Sequence, residues 1–219
     1  VITFKGSIFA ADNFELVEVR DRLETALADG MGPMVVSTAA TGAWERWVEI
    51  DTLEIEPDHG RNFTSFTIDM IAPDPLRYTP LQVSNRVGLP QVEGGVRFPQ
   101  RMPMNFGRVS AASRLSLTNG GKVPLTPRFM VSGGFSAVTV TDVTTGRALQ
   151  LTWPVAEGEV LVFDQGTRRA EMPGTEVTRF MTRRQWFSIP RGETHEFRFE
   201  ADGVIGDPQM WAEYKLGAW

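Results

Sequence analysis

The chain contains no cysteine. That absence removes disulfide stapling, thiolate nucleophiles and cysteine-bound zinc together, and it leaves no redox marker of compartment. Histidine is almost as scarce, with only His59 and His195. A serine triad needs a histidine base, and no Gly-x-Ser-x-Gly elbow occurs with either one. His59 falls in a Pro-Asp-His-Gly turn and His195 between charged residues, so both are expected at the surface. Two histidines far apart in the chain also argue against a transition-metal site. No apolar run approaches the roughly 18 to 20 residues of a membrane helix, and no signal-peptide pattern opens the chain.

A strong charge of one sign is also missing. The 22 basic and 27 acidic residues give a net charge of -5, which argues against a sequence-independent grip on nucleic acid. The doublets Arg168-Arg169 and Arg183-Arg184 point to opposite faces if they lie on strands, so they read as solvated or interface arginines. Gly30-Met31-Gly32-Pro33 follows a helical pattern, not a strand, and is no dinucleotide loop. Asn119-Gly120-Gly121-Lys122 lacks the upstream glycine of a phosphate loop. The carboxylates from Asp202 to Asp207 match no calcium-loop spacing, and paired carboxylates for glycoside cleavage cannot be singled out among so many acids. Asn62-Phe63-Thr64 has the form of a glycosylation acceptor, with nothing else to mark a secreted chain. No catalytic residue, metal ligand or cofactor is expected, and the chain reads as a non-enzyme.

What is present is an ordinary globular composition. The 219 residues, 42% hydrophobic and 22% charged, suffice for one large or two modest domains, each with a core. The stretch from Asn62 to Tyr78 organises the rest. Phe66, Ile68, Met70 and Ala72 alternate as a half-buried strand should, and Pro73 and Pro75 then force the chain out of the sheet. Before this elbow stand a strand from Val1 to Ala10 with Gly6 as a bulge or turn, one helix, and further strands. Asp12 and Glu15 predict a capping box. Leu16, Val19, Leu23 and Leu27 form one stripe, and Gly30 and Gly32-Pro33 end the helix. Met34–Val36 and Trp44–Ile55 are strands, and Pro57-Asp58-His59-Gly60 is a turn.

Residues 79–109 read as a linker or arm, rich in glycine and proline, in which Val96–Phe98 and Met102–Phe106 suit edge strands. From Ser110 onward short alternating strands and turns succeed one another every 8 to 12 residues or so, which predicts an antiparallel sandwich. Asn119-Gly120-Gly121 is expected to be a hairpin turn, and Gln185–Ile189 a strand. The fold class is therefore mainly β: a β-rich domain with one α-helix over 1–78, the linker, and a sandwich over 110–219. The six tryptophans are weighed as sugar platforms but fit core or interface positions better.

These residues resemble a known family. Ala72-Pro73-Asp74-Pro75-Leu76-Arg77-Tyr78, closing the strand from Phe66, resembles the exit of the N-terminal domain in distal tail proteins (the Dit family) of long-tailed, siphovirus-type bacteriophages. Leu115–Gly121 with Pro124 and Pro127, Gly158–Asp164, and Trp186–Gly192 are similar to successive parts of that family's C-terminal domain. The resemblance covers most of the chain. It departs at Thr194, where the family often has asparagine, and its ring domain usually begins with strands before Val1, which implies a missing N-terminal part. The resemblance implies a galectin-like sandwich and an N-terminal domain that closes a homohexameric ring. It implies a hub in the virion's tail tip, assembled in the host cytoplasm. Its partners would be the tail tube protein, the tail hub or fibre protein and a receptor-binding protein, with no nucleic-acid grip and no membrane span. Shape alone does not carry lectin activity. The alternatives are a carbohydrate-binding sandwich of a surface or virion protein and, more remotely, a glycoside-cleaving domain.

Overall fold

The computed structural model of the chain describes residues 1–28, 30–39, 42–56, 62–90, 92–93, 108–109 and 113–219. The chain divides into two compact units, Val1–Pro80 with Trp219, and Leu81–Ala218.

In the first unit, β1 (Ile2–Phe9) leads into α1 (Asn13–Leu27), followed by β2 (Met31–Thr38), β3 (Gly42–Ile55), β4 (Phe63–Ile71) and β5 (Arg77–Tyr78). The helix starts as its sequence dictates. Asp12 Oδ1 accepts from the Glu15 backbone N–H at 2.8 Å, and Glu15 Oε2 accepts from the Ala11 N–H at 2.7 Å. This reciprocal cap satisfies two otherwise orphaned donors. The helix ends at Leu27, and Gly30, at φ +70°, turns the chain. The Gly32-Pro33 pair read as part of the stop lies instead inside the eight-residue β2. Proline is tolerated there because β2 is an edge strand.

The sheet runs β1-β4-β3, with β2 on the other flank of β3, and β5 also pairing with β3. Ile2, Phe4 and Ile8 of β1 lie opposite Met70, Ile68 and Thr64 of β4 on one face. Val48, Ile68 and Met70 are the buried centre of that face, with Leu27 of the helix against them. Gly6 is neither bulge nor turn. It pairs regularly with Phe66, whose ring fills the space over it: a Cβ at Gly6 would lie 2.4 Å from the ring. Beyond the strand the elbow is held by side chains. Asp74 accepts from the Leu76 N–H at 2.9 Å and the Tyr78 hydroxyl at 2.7 Å, while Arg46 donates to the carbonyls of Pro75 and Leu76 at 2.7 and 3.2 Å. The turn expected at Pro57–Gly60, with His59, lies outside the described residues.

The second unit opens with β6 (Gln82–Val83) and β7 (Val87–Gly88), then β8 (Val92–Glu93) and β9 (Arg108–Val109), which pair with one another. The sandwich strands follow: β10 (Leu115–Thr118), β11 (Arg128–Gly134), β12 (Ala137–Asp142), β13 (Ala148–Leu151), β14 (Val160–Asp164), β15 (Arg169–Met172), β16 (Thr175–Glu176), β17 (Met181–Arg184), β18 (Thr194–Asp202) and β19 (Ile205–Tyr214). One sheet is β10-β18-β12-β13-β17. The other is β16-β15-β14-β11-β19-β6, with β7 also on β19. Their inner faces meet in a core that includes Phe129, Phe163, Phe197 and Phe199, all 0% exposed. Phe129 and Phe197 are 4.8 Å apart by ring centroid, and Phe187 lies against both. Gly133, at φ +113°, lets β11 bulge past Pro208, whose Cα would sit 2.7 Å from a Cβ there.

Three expectations are corrected in this unit. The segment read as a linker from residue 79 begins with β6 and β7, bound to β19, and Ser84 accepts from the Ala212 N–H through its hydroxyl at 2.8 Å. Val87 is buried in the core, so the glycines and prolines around it mark turns between short edge strands. Asn119-Gly120-Gly121 does not close a hairpin, because β10 and β11 belong to different sheets. Asn119 is fully buried: its amide donates to the carbonyls of Val123 and Ile189, each at 2.9 Å, and its Oδ1 accepts from the Gly121 N–H. Gln185–Ile189 forms no strand. It connects β17 to β18, two strands of one sheet, and touches Leu125 through an isolated bridge at Ile189. The patches at Val96–Phe98 and Met102–Phe106 lie outside the described residues.

Candidate assembly interface

The polar residues with possible chemistry are distributed as structure. His195 is not at the surface. It is 2% exposed, at an inward position of β18 in step with Phe197 and Phe199. Its Nδ1 donates to Asp142 Oδ2 at 2.8 Å, and its Nε2 lies 3.2 Å from Glu193 Oε2. Asp142, also fully buried, accepts from the Thr144 and Thr145 N–H groups and from the Thr145 hydroxyl. The pair therefore braces the turn after β12, and each buried polar group finds partners. Among the described residues no cluster of three metal-ligating side chains occurs; Asp202 ends β18, and Asp207 lies within β19. The Asn62 amide donates to the Ala11 carbonyl at 2.9 Å.

Three tryptophans of the second unit are covered. Trp153 stacks on Phe180 at 4.0 Å, Trp186 packs against the core, and Trp211 lies beneath the Arg86 guanidinium at 4.3 Å. Trp47, in the first unit, is different: it is 56% exposed.

The register explains why. β2 and β3 pair so that Pro33 faces Trp47, Met31 faces Glu49 and Val35 faces Glu45, while Ile71 of β4 also pairs with Glu49. These residues point away from Val48 and Met70, because side chains alternate along each strand. Met31, Val35, Trp47 and Ile71 thus form an apolar patch on the outer face, all of them exposed. Glu45 and Glu49 bracket Trp47 on its own strand. At the far end of that face Phe9 and Phe63 stack at 5.8 Å, with Phe9 77% exposed. On the helix, Phe14 is 82% exposed and Val17 lies one turn further on.

The edges of the sheet are as open as its face. Among the described residues β1 pairs with β4 alone and β2 with β3 alone. Each is eight residues long. Long edges with unpaired backbone groups are templates for another strand, and natural proteins cover them unless they are used. What this arrangement can do is associate. At the elbow, burial, then the hydrogen bond and charge of Asp74, raise the Tyr78 hydroxyl to about 12. That is a structural consequence of the elbow.

Residues 120–204 match the family described as siphovirus-type tail component, C-terminal domain. The match lies within the second unit. Across nearly its whole length this chain also shares a fold with the Dit (gp 19.1) protein of phage SPP1, whose crystal structure is described as a paradigm of the hub adsorption apparatus in phages infecting Gram-positive bacteria. The TM-score is 0.61 at 11% identity, over 98% of this chain and 77% of that one. Two structures of the phage P2 baseplate in its activated conformation, with Ca and with Sr, align at TM-scores of 0.49 and 0.48. Their identities are 12% and 11%, over 96% of this chain and 78% of theirs. No curated protein sequence matches. At such identities the likeness to the SPP1 protein is one of fold. The mainly β architecture, with one α-helix among the described residues and an antiparallel sandwich, agrees with it.

Proposed function

We propose that this chain is a non-enzymatic hub of a phage tail tip, in which the first unit closes a homohexameric ring with copies of itself and the sandwich is displayed outward. The ring joins the tail tube on one side to the tail hub or fibre protein on the other, and receptor-binding proteins attach to the sandwich. It sits in the virion and is assembled in the host cytoplasm. The chain divides after Pro80, a few residues beyond the Pro73–Pro75 elbow, and we take 1–78 as the ring domain and 110–219 as the display domain.

One observation carries the reading: among the described residues, β1 and β2, each eight residues long, are the edge strands on opposite sides of one sheet. Two different edges meeting head to tail form a heterologous contact, which closes into a ring when the rotation allows. A sheet made to stay alone would blunt such edges. The SPP1 protein is described as part of a hub, which supports the same role here. Light scattering on the purified chain tests it. The expected mass is about six times the 24.4 kDa of one chain. A monomer at every concentration up to the millimolar range would overturn the ring.

A further inference from the structure

In the first unit β1 and β2 run in opposite directions, because three antiparallel pairings, β1–β4, β4–β3 and β3–β2, lie between them. Hydrogen bonds at their ends show which backbone groups point outward. The Ala10 N–H donates to the Asn62 carbonyl at 2.9 Å, and the Ile50 N–H to the Gly30 carbonyl at 2.7 Å. Bonded pairs alternate with unbonded ones in an antiparallel ladder, so the even residues of both strands bond inward. The odd residues, from Thr3 to Phe9 on β1 and from Met31 to Ser37 on β2, turn their backbone groups to the edges that are open among the described residues. The same odd residues carry their side chains on the Trp47 face in both strands. One edge can therefore continue the other without turning either face over.

What each edge leaves uncovered sets the register. On the helix face, Phe4 of β1 and Val36 of β2 are half-exposed although they point to the side of the core. On the Trp47 face, Phe9 at the end of β1 and Met31 at the start of β2 are exposed. Laid antiparallel over their full eight residues, the two strands bring Phe4 opposite Val36 and Phe9 opposite Met31 at once. Lys5 then falls opposite Val35, in the row of Glu45, so a cation meets an acid across the joint. A slip of two residues either way shortens the ladder and parts both apolar pairs. Pro33, opposite Ser7, has no N–H, and the ladder lacks one bond there.

We propose that β1 of one copy joins β2 of a second copy as an eight-residue antiparallel ladder, in the register that sets Phe4 against Val36, Lys5 against Val35 and Phe9 against Met31. A neighbour rotated about an axis near the strand direction keeps the sense of its strands, and so presents β1 antiparallel to β2. Cross-strand apolar and opposite-charge pairs of this kind are the stabilising unit of a sheet. The inference rests on the ring reading and names the residues at its joint.

Because the chain has no cysteine, the register can be read by engineered disulfides on a clean background. Thr3→Cys and Ser37→Cys are placed in separate full-length chains of distinguishable size, which are mixed and oxidised. Bonded antiparallel neighbours lie about 5.5 Å apart at Cα, within the span of a disulfide. Thr3→Cys mixed with Val35→Cys is the control, two residues out of register. The expected result is a disulfide between Thr3→Cys and Ser37→Cys chains, at least several-fold above the control. In the wild-type oligomer, the outward amides of Lys5 and Val35 should exchange with solvent as slowly as the inward ones of Phe4 and Val36. A control disulfide that outweighs the expected one would overturn the register. No cross-chain disulfide, or fast exchange at Lys5 and Val35, in a sample whose light scattering shows the oligomer would overturn the ladder and leave the ring standing. A monomeric wild-type sample would overturn the ring and the ladder with it.

Discussion

The two units meet the hydrophobic effect in opposite ways. Among the described residues the second unit buries twenty-seven apolar side chains to below a tenth of their exposure, and the first unit buries five: Ile8, Leu16, Val48, Ile68 and Met70. The first unit nevertheless leaves Phe4, Phe9, Phe14, Met31, Val35 and Trp47 more than half exposed. Both are amphipathic sheets with similar alternation. The difference is closure. In the sandwich each inner face finds a second sheet of the same chain, so Phe129 meets Phe197 and Leu161 and Phe163 are sealed. In the first unit a single 15-residue helix covers one face in part, with only Leu16 of its stripe fully buried. On the proposed ring reading such a unit is completed by its neighbours, and the same patterning serves folding in one half and assembly in the other.

The largest expected effect tests the self-sufficiency of the sandwich. Phe129→Ala should cost about 3–5 kcal/mol, the range for truncating a fully buried phenylalanine, read by denaturant unfolding of the second unit. Its midpoint should not depend on protein concentration. The first unit should behave oppositely: its unfolding midpoint should rise with concentration, because association stabilises only the folded form. A first unit whose midpoint is independent of concentration would break the comparison.

Next in size is the buried pair at the end of β12. Asp142→Ala removes the acceptor of three turn hydrogen bonds and leaves the His195 Nδ1–H without a partner in the core. The expected loss is about 3 kcal/mol in the second unit alone, from breaking a buried polar network on one side. In the first unit Gly6→Ala should cost about 1–3 kcal/mol, because the new methyl must displace the Phe66 ring. An effect of Gly6→Ala near zero would mean that the face under Phe66 is as loosely packed as the rest of that unit.

How much of this was legible differs by region. The capping box at Asp12 and Glu15 and the prolines after Ile71 act locally, and the sequence announces them. The sandwich strands follow from alternation and turns. His195 was also within reach: it stands two before Phe197 and four before Phe199, with Thr194, Glu196 and Arg198 at the alternate positions, so strand parity places it inside. Residue chemistry misled where parity would have spoken. Gly6 and Asn119 were not legible in the same way, because each is fixed by a partner distant in sequence, Phe66 for one and Ile189 for the other. The Trp47 patch depends on the register of β2 against β3, which no local signal sets. Edge openness is a property of the whole sheet, and appears only when the strands are ordered in space.

The smallest effect concerns the elbow and sharpens the contrast by pH. Tyr78 donates to Asp74 only while its hydroxyl is neutral, and burial with the adjacent carboxylate raises it from 10.0 to about 12. In the unfolded chain the phenol ionises near its ordinary value. Its contribution to stability is therefore complete below pH 10 and is lost as pH rises from there toward 12. Tyr78→Phe should cost about 1 kcal/mol at neutral pH, the net worth of one hydrogen bond. The informative quantity is the difference between wild type and Tyr78→Phe, in which titrations common to both proteins cancel. That difference should be constant up to pH 10 and shrink above it, in the unfolding of the first unit and not of the second. A difference that stays flat to pH 12 would mean that the phenol ionises alike in both states, and that the Pro73–Tyr78 bend is held by Arg46 and by the Asp74 bond to Leu76 without it.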